Sequence, residues 1–192
     1  MPELVLASTS SYRRALLERL GVPFRCVAPL VDEETLKHTS EPPGVLAGRL
    51  ARAKAEHVAA VEPGAVVIGS DQVVSLDGRV FGKPGDAARA VAQLLALAGR
   101  PHQLMTAFTV VHPSGTVDHL DVTTLWMRPL DRPEVERYLA ADRPFDCAGS
   151  YKLEARGIAL FARIDSVDHT AVTGLPLIAL TTVLRGLGYP IP

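Results

Sequence analysis

The sequence predicts a mixed α/β fold, a twisted sheet with flanking helices. Short apolar runs of strand length, such as LVLA and AVVI, alternate with alanine- and leucine-rich stretches of helical spacing, such as AARAVAQLLALA and LIALTTVLRG. Glycine, proline and acidic clusters punctuate the joins.

Taken in order, Leu4 to Ala7 reads as a short buried strand, and Ser10 or Ser11 caps the helix that follows. Ala15, Leu16, Leu17 and Leu20 supply its apolar face, and Gly21 is the stop. Phe24 to Val27 reads as a second strand that ends in the acidic turn APLVDEE. Pro42 and Pro43 precede a helix from Val45 to Ala60. In GAVVIGSDQVV the apolar run reads as a strand that stops at a Gly-Ser-Asp turn, and Asp77-Gly78 suits a hairpin return. Asp86 to Ala98 reads as a helix closed by Gly99, and Gln103 to Val111 with Val117 to Trp126 as a long hairpin around HPSG. Pro133 starts a helix over residues 134–140, Ile158 to Ile164 is a strand, and GLPLIALTTVLRGLG is an apolar helix packed on the sheet. No internal repeat or low-complexity linker interrupts the chain, so residues 1–192 read as a single domain. A division into two lobes would fall near residues 85–100.

The totals exclude several classes. With 192 residues, 47% of them hydrophobic, the chain has enough material for one substantial core or two small lobes. A formal charge of -1 offers no broad electrostatic footprint for nucleic acid or anionic lipid, so any anion must be met locally. Cys26 and Cys147 form no CxxC pair and read as buried free thiols. The N-terminus has no basic segment ahead of a long apolar run, and no stretch approaches the roughly 20 apolar residues of a membrane span, so a soluble cytoplasmic protein is expected. HExxH spacing and a G-x-S-x-G elbow are both absent.

The residues with chemical potential lie at the element boundaries. In LASTSSYRRALLERL an apolar strand runs into four hydroxyl residues, Ser8 to Ser11, and then into Arg13 and Arg14 at the head of a helix. Backbone N–H groups at a helix N-terminus favour phosphate, and the arginine fork suits it; the plainer alternative is a solvated capping segment. Asp32, Glu33 and Glu34 offer hard oxygen ligands for a divalent cation, or only a solvated turn. Asp71, just past an apolar strand, caps a turn or binds metal and orients water, and Gln72 offers an amide able to read a base edge. Lys54 and Lys83 are ordinary surface lysines when considered singly, but with Arg13 they would neutralise a polyphosphate. In CAGSYKLEARG an extended backbone would place Lys152 and Glu154 on one side, as phosphate and base ligands or as a surface ion pair.

The segments LASTSSYRRALLERLG, VDE, GSDQV, GKP, CAGSYKLE and GLPLIAL, in that order, resemble the Maf family of nucleoside triphosphate pyrophosphatases over nearly the whole chain. The resemblance implies a fold related to inosine triphosphate pyrophosphatases, with two lobes around a cleft. It also implies hydrolysis between the α and β phosphates of a nucleotide with a divalent cation, Mg²⁺ or Mn²⁺. It marks Asp71 as proton acceptor, Glu33 and Asp71 as metal ligands, and Ser8, Arg13, Lys54 and Lys83 as phosphate or metal-site residues. GSDQV together with CAGSYKLE is similar to the branch acting on 7-methyl-GTP, with Tyr12, Gln72 and Glu154 at its selectivity positions. Tyr12 would stack on the positively charged methylated base, and Glu154 would accept from the guanine N1–H and 2-amino groups. The alternatives are a dTTP/UTP pyrophosphatase, one for another altered nucleotide, or a weakly catalytic nucleotide-binding regulator of cell division. The resemblance further implies a homodimer and makes Asp168 another metal or structural residue.

Overall fold

A computed structural model describes residues 1–33 and 41–192 of the chain, so Glu34 of the acidic turn lies outside the described residues. The elements are β1 (Leu4–Ala7), α1 (Ser11–Glu18), β2 (Arg25–Val27), α2 (Pro43–Val61), β3 (Val66–Leu76), β4 (Arg79–Phe81), α3 (Ala87–Leu97), β5 (Pro101–His112), β6 (Gly115–Met127), α4 (Arg132–Asp142), β7 (Phe161–Asp165) and α5 (Leu177–Gly186). The strands form one seven-stranded sheet in the order β2-β1-β3-β5-β6-β7, with β4 paired to β3. β1 runs parallel to both β2 and β3, with Leu6 opposite Ile68 and Ala7 opposite Gly69; β4 and β7 pair antiparallel with β3 and β6. This is the mixed α/β sheet with flanking helices that the sequence predicts.

The chain divides into two compact units. One comprises Met1–Asp71, Thr106–Asp121 and Asp168–Pro192; the other comprises Gln72–Met105 and Val122–Val167. The changeovers lie inside β3, β5 and β6 and ahead of Asp168, not near residues 85–100. A strand that passes from one unit to the next has no break in composition at the crossing, so the sequence carries no mark of it.

In the first unit, period-2 alternation sorts β1 and β3 onto two faces. Leu4, Leu6, Val66 and Ile68 join Leu16 and Leu17 of α1 and Leu177, Leu180 and Leu184 of α5 in the larger core. Val5, Ala7 and Val67 pack with Val58 of α2 on the other face. Burial on both faces is why these strands read as continuous apolar runs. In the second unit, Leu94, Leu97, Leu104, Leu125, Val135 and Leu139 are buried. His102, Tyr151 and Phe161 form an aromatic cluster there, with His102 Nε2 3.2 Å from the Tyr151 hydroxyl and the Tyr151 and Phe161 rings edge to face at 5.0 Å. Burial lowers the His102 pKa to about 4, so its imidazole is held neutral.

Several expectations require correction. β3 does not stop at Gly69-Ser70-Asp71 but runs through them to Leu76. Gly69 is a close-approach residue: a Cβ there would lie 2.3 Å from the Ala51 carbonyl oxygen and 2.5 Å from the Ala55 nitrogen of α2. Residues 156–160 form a 3₁₀ turn and pairing with β6 begins only at Phe161, because the chain folds so tightly that a Cβ on Gly157 would sit 2.3 Å from the Lys152 carbonyl oxygen. Cys26 is exposed on the short strand β2 and Cys147 is half-buried, so neither is the fully buried thiol expected. Helix α4 is longer than residues 134–140, because Asp131 and Glu134 form a reciprocal capping box that starts it at Arg132. The Asp77-Gly78 turn is as expected, with φ of 51° and 80°. No helix among the described residues is long and apolar enough to cross a membrane.

Candidate active site

Helix α2 buries Ala47, Leu50, Ala51, Ala55 and Val58 along one stripe, and Lys54 lies on the same stripe at 6% exposure. Alternation along β3 directs Val67, Gly69 and Asp71 to the face that α2 covers. The side-chain-free contact at Gly69 lets the helix come close enough for Lys54 Nζ to donate to Asp71 Oδ1 at 2.5 Å. The same ammonium pairs with Glu33 Oε1 at 2.8 Å. One lysine thus gathers two carboxylates, and the pairing offsets the cost of burying Lys54 and Asp71.

Arg13 reaches this centre from α1. Past the end of β1, Ser8 Oγ accepts the Ser10 N–H at 3.1 Å, and Ser10 Oγ caps α1 by accepting the Arg13 N–H at 3.4 Å. Two of the four hydroxyls therefore shape the turn, and Thr9 and Ser11 are exposed. Tyr12 and Arg13, both half-buried, follow in the first turn of the helix. Arg13 Nε donates to the Gly174 carbonyl at 3.0 Å, and the Ser70 hydroxyl, which donates to the Ala107 carbonyl at 2.8 Å, lies 3.0 Å from that same oxygen. Gly174 has φ of 116°, and a Cβ there would come within 3.4 Å of Arg13 Nε. Burial pulls the Arg13 pKa down, while the Asp71 and Glu33 carboxylates favour its charge. Arg14 does not join the cluster; it turns outward to Glu18 at 3.0 Å.

In the second unit, Gln72 is half-buried on β3, and Lys83 is exposed on the loop between β4 and α3. The Lys152 N–H donates to the Tyr138 hydroxyl at 2.9 Å, and Lys152 Nζ lies 3.5 Å from Asp146 Oδ1. The backbone at Lys152 to Glu154 is not extended, so the condition for placing the two side chains on one side is not met. The Ala155 N–H donates to the Lys152 carbonyl at 3.2 Å and closes a turn that exposes Glu154. Burial pushes the nearby Cys147 thiol up to about 12, which leaves it little nucleophilic character.

Asp168, in the first unit, is 3% exposed and fully used within the fold. Its Oδ1 accepts from the Thr170 N–H at 2.8 Å and hydroxyl at 2.6 Å, and its Oδ2 accepts the Ile178 N–H at 2.7 Å at the start of α5. It acts as a helix cap supplied from outside the helix. Sequence reasoning passed over Gly69, Ser70, Gly174 and Tyr138. For Gly69 the sequence carries a signal, a glycine inside an otherwise apolar strand run, which marks either a turn or the close approach of a neighbouring backbone.

Among the described residues no three or more His, Cys, Asp or Glu come together in a metal-binding group. The donor set at the centre is the Glu33 and Asp71 carboxylates, hard oxygens gathered by one lysine. Mg²⁺ is commonly held by one or two carboxylates, with substrate phosphate oxygens and waters completing its shell, so this pair fits that ion.

A mixed α/β sheet with paired carboxylates, a buried lysine and an arginine beside a helix N-terminus is equipped to handle a phosphate anion. The profile of the Maf family, described as Maf-like protein, matches residues 3–187, and the chain belongs to that family. It is 50% identical over 192 residues to a protein of Xanthomonas oryzae pv. oryzae named 7-methyl-GTP pyrophosphatase, covering 100% of both chains. A protein of the same name from Ralstonia nicotianae is 51% identical over 99% of this chain and 98% of its own, and one from Bdellovibrio bacteriovorus is 46% identical over 95% and 96%. Among solved structures, a HAM1 protein from Coxiella burnetii shares the fold with a TM-score of 0.53 and 17% identity, covering 97% of this chain and 100% of that one.

Proposed function

We propose that the protein is a 7-methyl-GTP pyrophosphatase that releases 7-methyl-GMP and pyrophosphate and clears modified nucleotides, with residues 1–192 acting as a single catalytic domain. The carrying observation is identity of 50% over the whole of both chains to a relative of that name. A homodimeric assembly, which the family resemblance implies, and a cytoplasmic setting complete the reading.

Glu33 and Asp71 would hold a divalent cation, Mg²⁺ or Mn²⁺, which when bound neutralises phosphate charge and makes water more acidic. With Asp71 Oδ1 taken by Lys54, Oδ2 accepts the proton as the water oxygen bonds to the α-phosphorus. The bond from that phosphorus to the oxygen bridging the α and β phosphates breaks, and pyrophosphate leaves. Lys54 fixes the carboxylate's orientation. Arg13, aimed by Gly174 through Nε, directs its terminal nitrogens at phosphate oxygens as charge moves onto the leaving group. Ser8, whose oxygen already accepts from Ser10, has its own proton for phosphate, and Lys83 and Lys152 add positive charge. Tyr12 stacks on the cationic base, while Gln72 and Glu154 read its edge.

Pyrophosphate release with Mg²⁺ across 7-methyl-GTP, GTP, dTTP, UTP and CTP tests the reading. The expected result is a clear preference for 7-methyl-GTP, and a kcat in Asp71→Asn lower by about 10³-fold with KM little changed. A preference for dTTP or UTP overturns the Gln72 and Glu154 assignments. A kcat for Asp71→Asn equal to wild type removes Asp71 from the chemistry.

A further inference from the structure

Two loops of the second unit carry side chains assigned above to the nucleotide. One, between β4 and α3, holds Lys83; the other, over residues 147–157, holds Lys152 and Glu154. Gln93, on α3, touches both. Its Nε2 donates to the Gly82 carbonyl at 3.1 Å, and its Oε1 accepts the Ser150 hydroxyl at 2.6 Å. The amide has only one workable orientation, because the Gly82 carbonyl can only accept, so the amide nitrogen must face it and the oxygen is left for Ser150.

Gln93 lies three residues after Ala90 and four before Leu97, so its half-buried amide stands on the flank of the buried stripe of α3. The loop that carries Ser150 is held under strain. Ser150 has φ of 65° directly after Gly149 at 71°, and a serine in the left-handed region persists only where its surroundings over-determine it. The Gln93 bond is one such restraint. Close packing of Gly149, where a Cβ would lie 2.9 Å from both Val74 and Tyr151, is another. A backbone bond from the Gly85 N–H to the Phe145 carbonyl at 3.0 Å ties the same two stretches of chain further along.

We propose that Gln93 is a positioning residue, a clamp that sets the spacing between the Lys83 loop and the Lys152–Glu154 loop. Its effect on turnover rests on the nucleotide-binding roles proposed above, whereas the clamp itself is a property of the fold. Lys83 and Glu154 are both exposed, so the backbone beneath them governs where their charges stand. A substrate that needs both meets them at a fixed spacing only while the two loops are locked together.

Three single substitutions in the full chain separate the two bonds. Gln93→Glu keeps an acceptor for Ser150 and loses the donor to Gly82. Ser150→Ala does the reverse, and Gln93→Leu loses both. Amide hydrogen exchange, read over residues 80–86 and 147–157, is expected to accelerate by about tenfold in both segments for Gln93→Leu, in 80–86 alone for Gln93→Glu, and in 147–157 alone for Ser150→Ala. Adding Ser150→Ala to Gln93→Leu should produce no further acceleration in 147–157. With 7-methyl-GTP and Mg²⁺, Gln93→Leu should raise KM about tenfold and leave kcat within about twofold. Acceleration in one segment or neither for Gln93→Leu overturns the clamp. Acceleration in both with an unchanged KM overturns its role in positioning substrate groups. Should wild type fail to turn over 7-methyl-GTP, the proposed function falls, while the exchange results still decide the clamp.

Discussion

Lys54 and Asp71, at 6% and 7% exposure, are mounted within a helix and a strand, whereas Lys83 and Glu154 are exposed side chains on loops. The first pair is placed by packing. The position of Lys54 on the apolar stripe of α2 and the absence of a side chain at Gly69 leave its ammonium few places to go other than the two carboxylates. The second pair is placed indirectly, by hydrogen bonds that hold the backbone from Gln93 and Tyr138 while the charged ends stay in water. The difference separates two requirements. In the roles proposed above, Asp71 as proton acceptor would have a fixed, desolvated setting, where electrostatic interactions are strong, and Lys83 and Glu154 as recognition groups would be reachable before the ligand arrives.

The comparison breaks most sharply at Lys54. Lys54→Met leaves Asp71 and Glu33 without their shared ammonium, and urea unfolding is expected to show a loss of about 3–5 kcal/mol, with activity abolished. A loss under about 1 kcal/mol would mean that Lys54 is not the element that makes this carboxylate pair tolerable.

A smaller effect is expected from His102, which sits behind the loop of the second unit rather than at the charged centre. Its pKa is lowered from 6.5 to about 4 by burial, so between these values the unfolded chain takes up a proton that the folded chain does not. Stability from this group is full above pH 6.5 and declines as pH falls toward 4, by up to about 3 kcal/mol. Unfolding measured across that window should be less steep in pH for His102→Gln than for wild type. Equal slopes would show that the ring is not held neutral.

The smallest effect on the fold, and the most selective one on function, belongs to Glu154. Being exposed, Glu154→Ala should change stability by no more than about 0.5 kcal/mol. The preference for 7-methyl-GTP over UTP should fall by about tenfold, as expected for a lost charged hydrogen bond. A large loss of stability would place Glu154 among the structural groups of the loop instead.

Much of this arrangement was legible as residue types. Asp71, Lys54, Glu33 and Arg13 stand out because carboxylates, lysines and arginines at element boundaries are chemically conspicuous, and two of them, Asp71 and Glu33, meet on the ammonium of Lys54 in the fold. Gly69 and Gln93 did not stand out. A glycine in an apolar run looks the same whether it turns the chain or admits a neighbouring helix, and a glutamine on a helix looks like ordinary solvated surface until its partners arrive from 11 residues before and 57 residues after it. An extended backbone from Lys152 to Glu154 is excluded for a related reason, since the Ala155 N–H to Lys152 carbonyl bond closes a turn there and Gly157 lets the chain approach the Lys152 backbone, neither of which alternation can foresee.

The sequence by itself determined the class of fold, the identity of the charged groups and most element positions, because hydrophobic periodicity, caps and turn residues act over a few neighbouring positions. Only the tertiary structure decided that Lys54 is buried and not a surface lysine, that Ser8 and Ser10 shape a turn, that Asp168 caps a helix from outside it, and that Gln93 joins two loops. Each of these depends on atoms brought together by the packing of distant segments, and the geometry of that packing is written in no local stretch of the chain.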